Sequence, residues 1–191
     1  MNQNPHLFPA TGLTTERLRL IPAQVGHAES VQAYLLENQT HLQPWEPLRN
    51  AAFFERQAVI ERLHGMEERN AAGEALHLLL FSRGDGQLAG ICNFTNIVRG
   101  VFQACHLGYS IAEWQQGQGL MREGLTAAIA HVFQDMKLHR VMANYQADNT
   151  RSAHLLARLG FQREGEARSF LLINGVWTDH ILTSLINPAD H

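Results

Sequence analysis

The chain has little of several features that would place it in a specialised class of protein. It carries only two cysteines in 191 residues, too few for a disulfide framework, and we expect Cys92 and Cys105 to be buried, reduced thiols. Lysine plus arginine number 15 against 18 aspartate plus glutamate, a net charge of −3. No strong positive field would therefore attract nucleic acid or an anionic membrane, and no apolar run is long enough to span a bilayer.

The sequence also lacks internal repeats, low-complexity tracts and linkers rich in proline, glycine and serine. With 45% hydrophobic and 17% charged residues, a chain of this length can bury roughly 70% of its unfolded surface in one domain. We assign that single domain to residues 1–191. The first 13 residues do not show the charged-then-apolar order of a signal peptide, so we expect a cytoplasmic protein.

Hydrophobic periodicity in the first half predicts one strand, two helices and three further strands. Apolar and polar residues alternate in RLRLIP, and apolar residues repeat at helical spacing in HAESVQAYLLEN and from Ala51 to about Asn70. The segment between these helices, HLQPWEPLRN, contains two prolines and is predicted to be a loop. ALHLLLFS and LAGICNFTNIV flank an Asp85-Gly86 turn, and FQACHLGYSI follows as a third antiparallel strand.

The second half continues with helix, strand, helix and two strands, which makes a mixed α/β domain. Apolar residues at 121, 125, 129, 132 and 136 predict a helix, and RVMANYQ reads as a strand. DNTRSAHLLARLGF begins with an Asn/Asp cap and ends just before Gly160, which indicates another helix. SFLLI and VWTDHILTSL flank Asn174-Gly175 and predict a hairpin.

The stretch GYSIAEWQQGQGLMREGL, residues 108–125, places a strand, a glycine turn and a helix N-terminus in immediate succession. Its two turn glycines carry no Cβ where the first helical turn exposes unpaired N–H groups, an arrangement that binds phosphate. An ordinary strand-to-helix turn explains the glycines equally well, because G-x-G alone is a weak signal. The predicted binding residues are Gln116, Gly117, Gln118, Gly119, Leu120, Met121 and Arg122.

Two other phosphate-binding arrangements do not fit this turn. A P-loop requires Gly-Lys-Ser/Thr after four spacer residues, and no such string occurs. A dinucleotide fold requires G-x-G-x-x-G near the start of an alternating strand-helix chain, but position 122 is arginine and an antiparallel block precedes the turn. The remaining interpretation has a pyrophosphate on the turn and a thioester-bearing arm along LGYSI.

At this turn the sequence resembles the GNAT acyltransferases, whose acetyl-CoA site is a strand followed by Q/R-x-x-G-x-G/A and a helix. The matching segment is WQQGQG, with Trp114 in the first place instead of Gln or Arg. LQPWEP, FTNIVRG and HRVMANYQADNTRSAHLLARLGF resemble the RimJ branch, the ribosomal-protein-alanine N-acetyltransferases, and the similarity covers about residues 13–186. It implies the GNAT acyl-CoA N-acyltransferase fold, a central, mostly antiparallel sheet with splayed central strands flanked by helices.

The resemblance implies acetyl transfer from acetyl-CoA to the N-terminal α-amine of a protein, by direct attack through a tetrahedral intermediate without a covalent enzyme intermediate. In this branch the acceptor is an alanine-starting ribosomal protein, small-subunit protein five. Whether the acceptor is free or ribosome-bound, and whether the enzyme is a monomer or a homodimer, stays open from the sequence. The backbones of Tyr109, Ser110 and Ile111 are expected to hold the thioester arm where their strand parts from VMANYQ. No metal is expected, since no His/Cys pair has zinc-site spacing.

The strength of the general base is predicted from the pKa of the acceptor amine. An α-amine has a pKa of about 8, so its deprotonation at about pH 7.4 costs only about 1 kcal/mol, whereas deprotonation of a lysine side chain costs about 4 kcal/mol. Glu46 in the proline-bracketed loop is the preferred base, and Glu113, His106, Asp179 and water alone are the alternatives. An equally good interpretation of Glu46 is a capping or solvated residue.

Three further residues complete the predicted site. Trp45, held between prolines, is expected to line the acceptor pocket beside Glu46. By the resemblance, Asn149 bonds the cofactor arm and Ser152 lies near its sulfur, where it relays a proton to the departing thiolate or stabilises that thiolate. Capping of the helix that begins there would explain Ser152 as well.

Two rival functions stay open from the sequence. One is the same chemistry on a small amine such as an antibiotic, a polyamine or an amino acid, for which a closed cavity at Trp45 and Glu46 would be expected. The other is a non-catalytic acyl-CoA-binding or ribosome-associated module, which would bind acetyl-CoA without turnover. An open, negatively charged groove would favour a peptide acceptor.

Overall fold

The computed structural model describes residues 8–9 and 11–190, and within them eight strands form one sheet. The strands are β1 (Leu13–Thr14), β2 (Leu18–Pro22), β3 (Leu76–Ser82), β4 (Leu88–Val98), β5 (Ala104–Ile111), β6 (Arg140–Gln146), β7 (Gln162–Ile173) and β8 (Val176–Ile186). Their order across the sheet is β1-β2-β3-β4-β5-β6-β8-β7. The α-helices are α1 (Ala28–Glu37), α2 (Gln39–Leu42), α3 (Arg56–Ala72), α4 (Leu120–Gln134) and α5 (Thr150–Arg158). The mixed α/β fold class is thereby confirmed.

The sheet consists of two antiparallel halves joined at one short parallel seam. β5 pairs with β6 only from Ala104–Arg140 to His106–Met142. Beyond this point β5 stays paired with β4 as far as Ile111, and β6 stays paired with β8 as far as Gln146. Each half is therefore continuous while the seam between them opens, which is the splay that the family resemblance implies.

Helices cover both faces of this sheet because strand residues alternate between two apolar clusters. On the α4 face, α4 and α5 pack their buried side chains, among them Leu125, Val132 and Leu156, against strand residues such as Leu78. On the α1 face, α1 and α3 pack around Val59, Leu63 and Leu79. Each fully buried leucine or valine contributes about 1.5–3 kcal/mol. The open seam thus has two distinct sides, one toward α5 and one toward α1.

Four local predictions differ from the structure. The helix expected from Ala51 is a 3-10 turn, Ala51–Phe54, followed by α3, because Glu55 is extended and breaks it. HLQPWEPLRN is partly helical, with a 3-10 turn at Gln43–Trp45. Pro44 lies in the first turn of this helix, where a missing N–H group is tolerated. The short strand β1 was not predicted. β7 begins well before SFLLI. Its first residues were not predicted to be a strand, because they are polar and show no alternation of apolar residues.

Both cysteines are buried and free, as predicted. Burial raises the pKa of each thiol to about 12. Neither thiol is therefore ionised at neutral pH, which argues against a nucleophilic role. Within residues 8–9 and 11–190, no helix has the length and apolar character needed to cross a membrane.

Candidate active site

The seam brings the three predicted strand residues, Tyr109, Ser110 and Ile111, to its open part. All three follow His106, the last residue of β5 that pairs with β6, and all three remain paired with β4 on the other side. Backbone groups on the seam edge of β5 therefore face a gap rather than a neighbouring strand. Such an edge can hydrogen-bond an extended, amide-bearing chain.

The predicted glycine turn has the backbone conformation of an anion site. Gly117 and Gly119 have φ of +73° and +78°, in the left-handed region that favours glycine. Gly119 is the N-cap of α4, and its carbonyl oxygen accepts the first helical hydrogen bond, from Glu123 N at 3.0 Å. The N–H groups of Leu120, Met121 and Arg122 precede that bond and have no acceptor inside the helix. They and the helix dipole form a positive pole at the end of the seam.

Gln116 participates differently from what the sequence predicts. Its backbone N–H donates to the carbonyl oxygen of Glu113 at 3.2 Å, so this amide is not free to join the helix N-terminus. Its side chain instead bridges two elements: Arg151 of α5 donates to Oε1, and Nε2 lies 2.7 Å from Nε2 of His41 in α2. The same His41 nitrogen is 3.3 Å from the carbonyl oxygen of Ile111. No sequence pattern indicates His41 or Arg151 as a residue of the site.

A carboxylate and an arginine anchor the glycine turn to the sheet. Arg17, just before β2, donates from Nε to Glu123 Oε2 at 2.7 Å and from Nη1 to the carbonyl oxygen of Gln118 at 2.9 Å. The Arg17 backbone N and Thr15 Oγ1 donate to Glu123 Oε1 at 2.7 and 2.6 Å. Partial burial would raise the pKa of Glu123, but these hydrogen bonds outweigh it and lower the pKa. No pattern in the sequence indicates this contact, which spans 106 residues.

On the α4 face of the seam, two hydroxyl groups meet. Tyr109 Oη and Ser152 Oγ share a hydrogen bond of 2.9 Å, and burial raises the pKa of Tyr109 to about 12 despite that bond. Asn149 caps α5 by accepting from Ser152 N at 3.0 Å. The structure thus brings Tyr109 and Ser152 together, and shows that Asn149 has a capping role. The contribution of the Tyr109 side chain was not predicted.

The proline-bracketed loop lies on the opposite side, near α1. The carbonyl oxygen of Glu46 accepts from Asn174 N at 2.8 Å, and Gln146 Nε2 donates to the carbonyl oxygen of Pro44 at 3.0 Å. These bonds tie the loop to the β7–β8 turn and to the end of β6. Trp45 is 37% exposed. The predicted acceptor residues, Trp45 and Glu46, are therefore held at the rim of the seam.

The Glu46 carboxyl group is in an environment that weakens its ionisation. Burial raises its pKa above the ordinary value of 4.5, and the charge of Arg49 offsets this only in part. Burial also raises the pKa of Tyr34, and the nearby Glu46 charge adds to that shift. Tyr34 Oη donates to Ser110 Oγ at 2.8 Å, so the Glu46 charge acts on a hydroxyl group that is bonded to the open part of β5.

The three alternative bases occupy different positions. Glu113 is exposed after β5, with its backbone N bonded to Asn38 Oδ1 at 2.8 Å. His106 is half-buried at the last seam pair, and burial lowers its pKa. Asp179 accepts from Ser169 N at 2.7 Å at the irregular β7–β8 edge, so its carboxylate already has a structural partner away from the seam. In the described part of the chain, no cluster of three or more His, Cys, Asp or Glu side chains is arranged for a metal.

A parted strand edge that ends at a glycine turn and a bare helix N-terminus fits a long carrier with amide groups at one end and a pyrophosphate at the other. This combination defines an acyl-CoA-dependent acyltransferase. The chain belongs to the GNAT acetyltransferase family, because the model of the acetyltransferase (GNAT) domain matches residues 17–162. The family predicted from the sequence is thereby confirmed.

Individual relatives agree with this family assignment. The chain is 44% identical over 180 residues to the ribosomal protein uS5-alanine N-acetyltransferase of Escherichia coli (strain K12), covering 94% of this chain and 93% of that protein. The ribosomal-protein-S5-alanine acetyltransferase from Vibrio fischeri superposes with a TM-score of 0.88 at 38% identity, over 92% of this chain and 96% of that one. The structure of Mycobacterium smegmatis RimJ in complex with CoA-disulfide superposes with a TM-score of 0.84 at 26% identity, over 94% of this chain and 85% of that one.

Proposed function

We propose that the protein acetylates the N-terminal α-amine of a protein, using acetyl-CoA, and that its acceptor is an alanine-starting ribosomal protein such as uS5. The observation that carries the proposal is the open seam, with Glu46 toward one side and the Tyr109–Ser152 pair on the other. The name and 44% identity of the Escherichia coli relative support the choice of acceptor. The coenzyme supplies an acetyl group activated as a thioester.

Residues at both ends of the seam would bind the coenzyme. The N–H groups of Leu120, Met121 and Arg122 would hold its pyrophosphate, because they have no acceptor inside α4 and lie at the positive end of the helix dipole. The seam edge of Tyr109, Ser110 and Ile111 would hold the amide-bearing arm. Gly117 and Gly119, both with a left-handed φ, have no side chains that could block the approach to the N–H groups at the start of α4.

Glu46 removes the proton from the acceptor amine in this proposal. Because burial raises its pKa, its carboxylate is a stronger base than an exposed glutamate. An α-amine has a pKa of only about 8, so a modest base acting through a water molecule is sufficient. A lysine amine would require about 3 kcal/mol more. The weak base therefore favours an α-amine acceptor.

The hydroxyl pair holds the proton on the sulfur side of the seam. With a pKa of about 12, Tyr109 is protonated at physiological pH before the transfer. Ser152 Oγ, 2.9 Å away, would donate its proton to the departing coenzyme thiolate and take the Tyr109 proton in its place, and water would then reprotonate the Tyr109 phenolate. In this proposal Tyr109 stores the proton and Ser152, which alone would be a poor acid, relays it.

A protein acceptor agrees better with the seam rim than a small amine does. Trp45 is 37% exposed and Leu48 is 63% exposed, so the rim is an open surface rather than the wall of a closed cavity. Open surfaces accommodate an extended peptide, whereas small-molecule sites enclose most of their ligand. The non-catalytic alternative would leave the raised pKa of Glu46 and the paired hydroxyls without a role.

Initial rates on a panel of amines test the acceptor class. The panel contains peptides that start with Ala, Ser or Met, one N-blocked lysine peptide and several polyamines, each incubated with enzyme and acetyl-CoA and followed by mass spectrometry. We expect the alanine-starting peptide to react fastest and Glu46→Gln to lower that rate, with Glu113→Gln as the matched control. Preferred acetylation of polyamines would contradict the proposal, and acetyl-CoA binding without turnover would assign a binding module.

A further inference from the structure

The α1 face of β5 has an open position at Gly108. This residue lies two positions beyond the last β5–β6 pair, and a Cβ built on it would meet no heavy atom of the described chain within 4 Å. Residues 106, 108 and 110 share this face, as the bond between Ser110 and Tyr34 of α1 shows. The hydroxyl pair and the glycine turn belong to the α4 face. An acceptor that meets the coenzyme at the seam therefore approaches from the side of Gly108.

Asn93 of β4 lies directly beside this open position. The antiparallel register pairs Asn93 with Gly108 and, on the other side, with His77 of β3. Asn93 is half-buried, and it shares the α1 face with Ile91, which packs against the α1–α3 cluster. One row across three neighbouring strands therefore runs from a histidine through an asparagine to an open glycine.

The histidine determines the orientation of the asparagine amide. His77 Nδ1 lies 2.7 Å from Asn93 Oδ1, and a carbonyl oxygen only accepts, so Nδ1 carries the proton. His77 is 5% exposed, and its backbone N donates to Asn70 Oδ1 at 2.7 Å. Burial lowers the pKa of His77, which keeps the ring neutral. With Oδ1 held toward β3, Asn93 Nδ2 is directed away from β3, and it has no hydrogen-bond partner among residues 8–9 and 11–190.

We propose that Asn93 selects peptide acceptors by donating from Nδ2 to the first carbonyl oxygen of the acceptor, and that His77 is the positioning residue for this amide. Every peptide N-terminus has a carbonyl oxygen one carbon beyond the carbon that bears the amine, whereas a polyamine has none. A donor beside the approach to the seam therefore distinguishes the two classes of amine. The inference rests on the proposed function and names a specificity residue for it.

A double-mutant cycle between enzyme and substrate tests this contact. One alanine-starting peptide is compared with the same peptide carrying a thioamide at its first peptide bond, which weakens the acceptor atom and keeps the amine. We expect Asn93→Leu to lower kcat/KM for the normal peptide about tenfold and to abolish most of the thioamide effect, because both changes remove one hydrogen bond. The KM for acetyl-CoA is expected to stay unchanged. Additive losses from the two changes would overturn the proposal.

Two further variants separate positioning from structure. Thr95→Val changes a side chain on the same face of β4, two register pairs further from the open seam, and should leave the peptide kcat/KM unchanged; a loss equal to that of Asn93→Leu would overturn the proposal. His77→Leu should lower kcat/KM about threefold with little change in Tm, because the lost Nδ1–Asn93 bond is offset by removal of Nε2, a buried nitrogen that lacks a partner in the described chain. His77→Gln retains an N–H donor and should restore most of the rate, and equal losses in both variants would contradict the role of His77.

The outcome also distinguishes this inference from the proposed function. A wild-type enzyme that acetylates no peptide would refute the proposed function before any variant is made. A wild-type enzyme that acetylates the alanine-starting peptide, with Asn93→Leu equally active, would refute the selection by Asn93 alone.

Discussion

Replacing Arg17 by Gln tests whether the glycine turn depends on its anchor to the sheet. The guanidinium group holds both the Glu123 carboxylate in the first turn of α4, at 2.7 Å, and the carbonyl oxygen of Gln118 in the turn itself, at 2.9 Å. Gln can replace at most one of these contacts. The turn then samples conformations in which its N–H groups no longer converge, and the coenzyme must order it on binding.

The size of the effect follows from the exposure of the pair. The Arg17 side chain is 44% exposed and that of Glu123 is 17% exposed, so the ion pair contributes about 0.2–1 kcal/mol rather than a buried pair's larger value. The hydrogen bond to the Gln118 carbonyl oxygen adds about 0.5–1.5 kcal/mol. A total of about 0.7–2.5 kcal/mol corresponds to a loss of about 3- to 70-fold in affinity for the coenzyme.

Isothermal titration of coenzyme A at low ionic strength measures this change. Arg19→Gln is the matched control, because Arg19 is also exposed near the start of β2 and, in the described part of the chain, its side chain hydrogen-bonds only to the carbonyl oxygen of Thr11, at 3.5 Å. We expect kcat at saturating acetyl-CoA and Tm to change little in Arg17→Gln. Equal affinities in the two variants would refute the reasoning, and so would a loss of affinity that is explained by a large drop in Tm.

Three further predictions concern the turn glycine Gly119, the Glu46 carboxyl group and the two cysteines. Gly119→Ala should weaken coenzyme binding, because a left-handed φ costs a non-glycine residue about 1–2 kcal/mol; unchanged affinity in calorimetry would contradict this. Folding raises the pKa of Glu46 above 4.5, so its stabilising contribution is present below that pH and is lost as pH rises through the raised pKa. The Tm of Glu46→Gln minus that of the wild type should therefore increase from about pH 4 to about pH 8, and a constant difference would be inconsistent with the raised pKa. Cys92 and Cys105 should react with a thiol reagent only at the rate of unfolding, since both are buried.

Local features of the site could be predicted from the sequence, and long-range contacts could not. The glycine turn and the Asn149 cap depend on neighbouring residues, and both have the expected conformations. Tyr109 and Ser152 are 43 residues apart, and His77 and Asn93 are placed side by side by strand register. No periodicity in the sequence identifies which strands are neighbours at the seam. The family resemblance predicted the splay, whereas the hydroxyl pair and the Arg17 anchor required coordinates.

The fold shows the same division between apolar and polar segments. Strands β3, β4 and β5 were predicted because their residues alternate or run as continuous apolar stretches. The beginning of β7 reads QREGEARS and is exposed along most of its length, so its pairing with β8 depends on backbone hydrogen bonds rather than on burial. Helix α3 begins later than predicted, because helical spacing of apolar residues does not reveal the extended backbone at Glu55.

The site of acetylation on one peptide tests the central claim most directly. The peptide begins with a free alanine and carries an internal lysine with a free side chain, so both amines compete for the same enzyme and acetyl-CoA. Tandem mass spectrometry of the product should place the acetyl group on the first residue, because the weak base at Glu46 and the open rim favour an α-amine. Acetylation of the lysine in preference to the N-terminus would contradict the account.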